Sequence, residues 1–387
     1  MSVTISEAVK YIGADDTTLD LFESQYQIPN GVSYNSYVIL DEKVAVMDTI
    51  DERKTDEWFA NLENVLNGRT VDYLVISHLE PDHAANIKRA ADKFPKAQLV
   101  LSAKAKAMLP QFFDIAHLDE RCLVVKEGDT LELGIHKLHF VMAPMVHWPE
   151  VMVEYEETEK ILFSADGFGK FGALSAEEEW TDEARRYFIN IVGKYGVQVQ
   201  TLLKKAAALD IQTICPLHGP VLKENLGFYI GKYLTWSSYE PEEDGVLVAC
   251  ASIHGNTKAA AEKMVEVLRA NGASKVVFMD LTRDDMAEAV ADAFRYGKII
   301  LAAASYDAGV FPPMEDFLHR LVHKNLQKRT FGLIENGSWA PCAAKGMKGI
   351  LEGMKEVNIC ENVVSIKSTM KDTDVAKMEE LAKEILA

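Results

Sequence analysis

Apolar positions along this chain follow two rhythms. Upstream of residue 237 they form short runs bounded by polar turns. These predict strands at Ser36–Leu40, Val44–Asp48, Tyr73–Ser77, Gln98–Ser102, Lys137–Ala143, Met152–Tyr155 and Ile161–Ser164, with a hairpin connection from Glu156 to Lys160. Helix-period stretches intervene at Thr55–Leu66, Ala84–Lys93, Ala103–Phe112 and Glu183–Ala208, so the first part reads as a layered α/β domain. Downstream the alternation is regular. Strands at Val246–Cys250, Lys275–Asp280, Lys298–Ala303, Thr330–Ile334 and Asn362–Lys367 are followed by helices at Lys258–Asn271, Met286–Arg295, Pro313–His323, Ala343–Met354 and Asp374–Ala387. Consecutive β-α units of this kind predict a parallel, doubly wound sheet. Between the two rhythms, residues 238–245 are polar and acidic with Pro241 and Gly245, and read as a linker joining a domain 1–237 to a domain 246–387.

Composition changes this picture little, and charge narrows it. With 387 residues, 48% hydrophobic and 26% charged, the chain has room for two or three cored domains at a prior of about 150 residues each. A net charge of -18 argues against nucleic acid and anionic membrane as partners, since both need Lys and Arg to neutralise phosphate. The stretch Met1–Glu7 has no basic segment leading into an apolar one, and no run approaches the roughly 18 apolar residues of a membrane span. The expectation is a soluble, cytoplasmic protein. Cys122, Cys215, Cys250, Cys342 and Cys360 form no CxxC pair and read as free thiols.

The candidate chemistry lies at strand ends. Tyr73-Leu74-Val75-Ile76 runs into Ser77-His78-Leu79-Glu80-Pro81-Asp82-His83, two imidazoles and two carboxylates within six positions. Similar ends carry His147 in Pro144-Met145-Val146-His147-Trp148-Pro149, Asp166 in Ala165-Asp166-Gly167, and His218 in Cys215-Pro216-Leu217-His218-Gly219-Pro220. Seven nitrogen and oxygen donors suffice for two metals bridged by a carboxylate. Their softness suits a redox-capable ion such as iron better than a thiolate-rich zinc site would. In the second part, Val246–Cys250 leads into Ala251-Ser252-Ile253-His254-Gly255-Asn256-Thr257 and a helix. Hydroxyls, a glycine and helix N-terminal amides make a phosphate cradle there, without the lysine of a GxxxxGK[ST] loop.

Taken together, His78-x-Glu80-x-Asp82-His83, His147-Trp148-Pro149, Ala165-Asp166-Gly167-Phe168-Gly169 and His218-Gly219-Pro220 resemble the metallo-β-lactamase-like domain of the flavodiiron proteins, or A-type flavoproteins. Pro29 to Tyr37 and Asp182 to Tyr187 resemble the family too, and Ser252 to Thr257 resembles the FMN phosphate loop of flavodoxins. The resemblance spans essentially the whole chain. It implies an αββα metallo-β-lactamase-like sandwich followed by a five-stranded doubly wound flavodoxin-like domain. One iron would take His78, Glu80 and His147, the other Asp82, His83 and His218, with Asp166 between them. Glu80 stands where the wider zinc hydrolases carry His, which favours iron.

The phosphate of FMN would lie on Ser252, His254, Gly255, Asn256 and Thr257. Its ring would lie between two loops, Ser305, Tyr306, Asp307, Ala308 and Gly309 on one side, and Asn336, Gly337, Ser338 and Trp339 on the other. Those loops lack the family's usual Ser-Pro-Thr and Tyr-Gly-Trp-like wording. Tyr26 and Trp148 are candidates to support the irons.

The implied activity is reduction of O2 to water and/or NO to N2O, with electrons relayed through FMN. The implied donor is rubredoxin or a reduced cofactor, and the implied assembly a head-to-tail homodimer or a dimer of dimers. Two rivals remain: a zinc hydrolase with an appended flavodoxin module, which Glu80 opposes, and a non-enzymatic flavin electron carrier, which the complete donor set opposes.

Overall fold

A computed structural model describes residues 5–387; the first four residues of the N-terminal stretch read above lie outside it. By compactness the described chain divides into two units. One runs up to Phe188 and resumes at Val197–Leu234; the other comprises Ile189–Gly196 and Thr235–Ala387.

The first unit holds two sheets. One has the order Val9–Tyr11, Tyr37–Leu40, Val44–Met47, Tyr73–Ile76, Gln98–Ser102, Cys122–Val125, and is parallel from Val44–Met47 onward. The other has the order Thr130–Glu132, Lys137–Met142, Met152–Glu156, Ile161–Phe163, Thr213–Cys215. Their inner faces share one core, in which Ile39, Ala45, Val75 and Val100 meet Leu138, Phe140, Met152 and Phe163. On the outer face of the first sheet, Trp58 and Leu62 of the helix Thr55–Leu66 face Val46, Leu74 and Leu99. On that of the second, Val199 and Leu203 of the helix Gly196–Ala206 face Val153 and Leu162. This is the expected αββα sandwich. Strands such as Val44–Met47 are apolar at every position because both faces are covered.

The second unit is one parallel sheet in the order Val276–Asp280, Glu243–Ala251, Tyr296–Tyr306, Gln327–Asn336, Lys355–Ile366. That is the 2-1-3-4-5 order of flavodoxin-like folds. Met264 of the helix Asn256–Ala270 and Leu381 of Asp372–Leu386 pack on Val248 and Cys250. The helices Met286–Arg295, Pro312–His323 and Ala343–Leu351 pack on one another and on the central strands.

Three expectations change. The helix expected over Glu183–Ala208 is Trp180–Tyr187, a π turn at Phe188–Val192, a 3-10 turn at Gly193–Tyr195, and Gly196–Ala206. The break serves a close approach: a Cβ on Gly196 would lie 2.3 Å from the Ser237 carbonyl oxygen, and Tyr239 Oη donates to the Gly193 carbonyl while accepting from Gly196 N–H. The helix expected at Ala84–Lys93 is split into Pro81–Ala84 and Ile87–Lys93. Asn86, between them, donates through Nδ2 to the Ile50 carbonyl at 2.7 Å, tying the turn to the chain beyond Val44–Met47. Finally, Glu243 to Gly245, expected as linker, already belong to the strand Glu243–Ala251.

Candidate metal centre and flavin cradle

The four segments that carry potential ligands all leave the carboxyl ends of strands or their connecting loops. His78 follows Tyr73–Ile76, and Glu80 precedes the short helix Pro81–Ala84, whose residues include Asp82 and His83. His147 lies between Lys137–Met142 and Met152–Glu156, Asp166 after Ile161–Phe163, and His218 after Thr213–Cys215. The structure brings all seven together as two groups. His78, Glu80, His147 and Asp166 offer atoms within 4.8 Å of one another, and so do Asp82, His83 and His218.

Asp166 joins the groups. Its Oδ2 lies 3.3 Å from His78 Nε2 and 3.5 Å from His147 Nε2; its Oδ1 lies 3.2 Å from His83 Nε2 and 3.9 Å from His218 Nε2. Glu80 Oε2 is 3.2 Å from His78 Nε2 and 2.9 Å from His147 Nε2, and Asp82 Oδ2 is 3.2 Å from His218 Nε2. Two donors bound to one ion at about 2.1 Å and near a right angle would sit about 3 Å apart, and most of these spacings fit that.

Polar accounting points the same way. Both oxygens of Asp82 and of Asp166, both ring nitrogens of His83, and His218 Nε2 are buried and make no hydrogen bond among the described residues. Native proteins rarely leave such atoms without a partner, and a cation satisfies acceptors of this kind. Charge agrees. Burial opposes a proton on His78, yet the Glu150 and Glu80 contacts and the Asp166 charge outweigh it and raise its pKa well above normal. Burial opposes a proton on His147 as well, and Asp166 and Glu80 lift its pKa to about 9. Burial would raise Asp166, but the imidazoles of His147 and His83 hold it well below the usual carboxylate range. The carboxylates therefore demand positive charge, which divalent cations supply while displacing the protons.

Outer partners orient the donors. His78 Nδ1 lies 2.8 Å from Glu150 Oε1, which also accepts Leu79 N–H at 2.9 Å. His218 Nδ1 donates to the Ser33 carbonyl at 2.7 Å. Each contact turns Nε2 toward the site. Asp48 Oδ1 accepts Ser77 N–H at 2.7 Å and His78 N–H at 3.4 Å, holding that loop's backbone. Asn35 Nδ2 donates to the carbonyls of Pro216 and Gly219, both at 2.8 Å, and Tyr37 Oη to Pro216 at 2.6 Å, fixing the His218 loop. Gly219 has φ +77°, and a Cβ there would strike the Lys170 side chain. Rings close the site: Trp148 meets His78 edge-on at 5.2 Å, and Phe22, Tyr34 and Tyr187 meet His218 at 5.5, 6.1 and 5.4 Å. Tyr26 is buried against Phe171.

In the second unit, the loops after the first, third and fourth strands in chain order, those starting at Glu243, Tyr296 and Gln327, enclose a cavity of about 600 Å³. Its wall includes Ser252, His254, Asn256, Thr257, Ser305, Tyr306, Asp307, Ala308, Asn336, Gly337, Ser338 and Trp339. The expected Gly255 and Gly309 are not on that wall. Gly255 caps the helix Asn256–Ala270 and donates its N–H to Ser252 Oγ at 3.1 Å, while Gly309 pairs back onto Tyr306. Ser305 Oγ is occupied as a cap, accepting from Cys342 and Ala343 N–H at 2.9 and 3.2 Å. Asn336 exchanges two bonds with Ser368. The head of the helix Asn256–Ala270 has no side-chain cap, which leaves its amides facing the cavity mouth as an anion site. Trp339 is 90% exposed and Tyr306 46%.

The family model for the ODP family beta lactamase matches residues 32–219. A solved structure of rubredoxin oxygen:oxidoreductase from the anaerobe Desulfovibrio gigas superposes with a TM-score of 0.91 at 25% identity, covering 100% of this chain and 98% of that one. The flavodiiron protein of Giardia intestinalis superposes with a TM-score of 0.88 at 23% identity, covering 100% and 97%. The nitric oxide reductase of Moorella thermoacetica is 26% identical over 100% of this chain and 98% of its own length. Along its whole length the chain is similar to these oxygen and nitric oxide reductases, and it shares the fold of the flavodiiron proteins.

Sequence reasoning missed several supporting groups. Glu150 carried a signal, a carboxylate three residues past a candidate ligand. Ser33, Tyr34 and Tyr187 lie in stretches that resemble the family, but nothing in the sequence gave their roles beside His218, and Phe22 showed no pattern. Ile253, Ala304, Ala340, Cys342 and Ser368 also line the cradle; Ser368 comes from beyond the fifth strand, where no motif marked it.

Proposed function

We propose that this chain is an FMN- and diiron-dependent oxidoreductase that takes O2 to water and/or NO to N2O. The observation that carries the reading is Asp166, which presents one carboxylate oxygen to each ligand group. One iron would be held by His78, Glu80 and His147 and the other by Asp82, His83 and His218, with Asp166 reaching both groups. Two relatives support the choice of gases through their names, an oxygen oxidoreductase and a nitric oxide reductase.

Bound ferrous ions supply electrons to a small gas, and bound FMN supplies two electrons that it can release singly. The chain's own residues do the rest. Glu150 and the Ser33 carbonyl hold two imidazoles with Nε2 forward. Trp148, Phe22, Tyr34 and Tyr187 wall off bulk water. The hydroxyls of Ser252 and Thr257 and the helix amides would receive the phosphate without a lysine, and Tyr306 and Trp339 would flank the ring. The overall balance is four electrons and four protons per O2, or two of each per pair of NO molecules. We assign the metal domain to 1–237 and the flavin domain to 246–387. The donor is rubredoxin or a reduced cofactor. The assembly is a cytoplasmic head-to-tail homodimer or dimer of dimers. None of the helices among the described residues is long and apolar enough to cross a membrane.

The test is metal and flavin analysis of purified protein, then anaerobic reduction and rapid mixing with O2 and, separately, NO. Iron near two per chain with fast flavin reoxidation is expected. A zinc pair without iron, or full-speed gas reduction by metal-free protein, overturns the reading.

A further inference from the structure

A second cavity lies in the first unit, between the helix Gly196–Ala206 and the outer face of the second sheet. It holds about 30 Å³, against about 10 Å³ for the corresponding gap behind the first sheet. Val153, Leu162, Val199 and Leu203 give it apolar walls, each less than a tenth exposed. Two polar side chains reach it, and both are already engaged. Ser164 Oγ donates to the Gly167 carbonyl at 2.6 Å, and Tyr233 Oη accepts Phe168 N–H at 2.5 Å. A buried water needs two to four polar partners, and with these two hydroxyls engaged the space gives one few of them.

The wall nearest the metal centre is built from the ligand loops themselves. Val146 immediately precedes His147, and Gly167 immediately follows Asp166. The smaller gap behind the first sheet touches no ligand-bearing residue or neighbour of one. A small apolar cavity lined by the sequence neighbours of two donors favours small uncharged apolar molecules.

We infer that this chamber is a holding site for the diatomic gas on its way to the metal centre. The inference rests on the gas-reductase reading above, for which O2 and NO are both small and apolar. The chamber stores gas, excludes water and adds no bond of its own. Its contribution therefore lies in capture, and it appears in kcat/KM and not in kcat.

Xenon is the probe, because it occupies dry apolar cavities of this kind without reacting. Crystals of the iron- and FMN-loaded protein under xenon pressure should show the atom between Leu162, Val199 and Leu203. The variant Leu203→Phe should fill the space, displace xenon and lower kcat/KM for the gas about fivefold at unchanged kcat, iron and FMN content. The wild-type xenon measurement stands even if that variant fails to fold. An empty chamber under pressure overturns the inference, as does a filled variant with wild-type kcat/KM. Loaded wild-type protein that reduces neither gas overturns the reductase reading instead, and the chamber's role falls with it.

Discussion

The metal centre and the flavin cradle lie at the carboxyl ends of strands, yet they are built oppositely. The first uses charged side chains, nearly all buried, with Asp166 and His78 fully enclosed. Two of the imidazoles, His78 and His218, are aimed by a named partner. The second uses backbone amides, hydroxyls and an open aromatic rim, with Trp339 90% exposed. A buried charge must be answered by another charge, so the metal site tolerates no partial occupancy of its donor set. A cradle of neutral groups satisfies many of its own atoms internally, as Ser305 and Asn336 do, and can stand without its ligand. The lesson is that stability and function are bound together in the first region and separable in the second.

Substitutions can break that contrast. Asp166→Ala should remove both metals together and reduce gas turnover by more than about 100-fold, beyond the range for an outer partner, with FMN still bound. Metal analysis and the flavin spectrum of one sample check this; loss of one metal only would show that the carboxylate does not bridge. Glu150→Gln should weaken iron retention or activity roughly 10- to 100-fold by releasing His78, read by competition with a chelator. Ser252→Asp places a negative charge in the phosphate cradle and should weaken FMN binding about tenfold or more while leaving riboflavin binding little changed. Comparing the two flavins by titration isolates the phosphate.

The pH response sharpens the same comparison. In metal-free protein His147 has its pKa raised from 6.5 to about 9. A raised imidazole contributes stability that is fully present below about pH 6.5 and is lost as pH rises through about 9. The melting temperature of metal-free protein should thus fall across that window, while metal-loaded protein, its imidazoles already unprotonated, should not show the fall. Scanning calorimetry of both forms at several pH values decides it. The smallest effect is expected at the rim: Trp339→Ala should change folding stability by no more than about 0.5 kcal/mol, because the ring packs on little, while altering flavin fluorescence.

Periodicity in the sequence was enough to reveal strand and helix order wherever an element is long and covered on a known face. The β-α alternation after Val246 and the apolar run Tyr73–Ile76 are examples. It failed at Glu183–Ala208, because a helix broken by Gly193 and Gly196 keeps its apolar rhythm through the break. It also did not mark the strands Val9–Tyr11 and Cys122–Val125.

For the site, the chain itself determined which atoms were available: donor types, their placement at strand ends, and a phosphate loop without a lysine. Covalent order carries that much because a side chain's donor atoms are set by its identity, whatever surrounds it. Only the tertiary structure decided that Asp166 faces both groups, that Glu150 and the Ser33 carbonyl aim the imidazoles, and that an apolar chamber lies behind Val146 and Gly167. Those are relations between segments up to 185 residues apart, and distance along the chain says nothing of direction in space until two sheets have closed on each other.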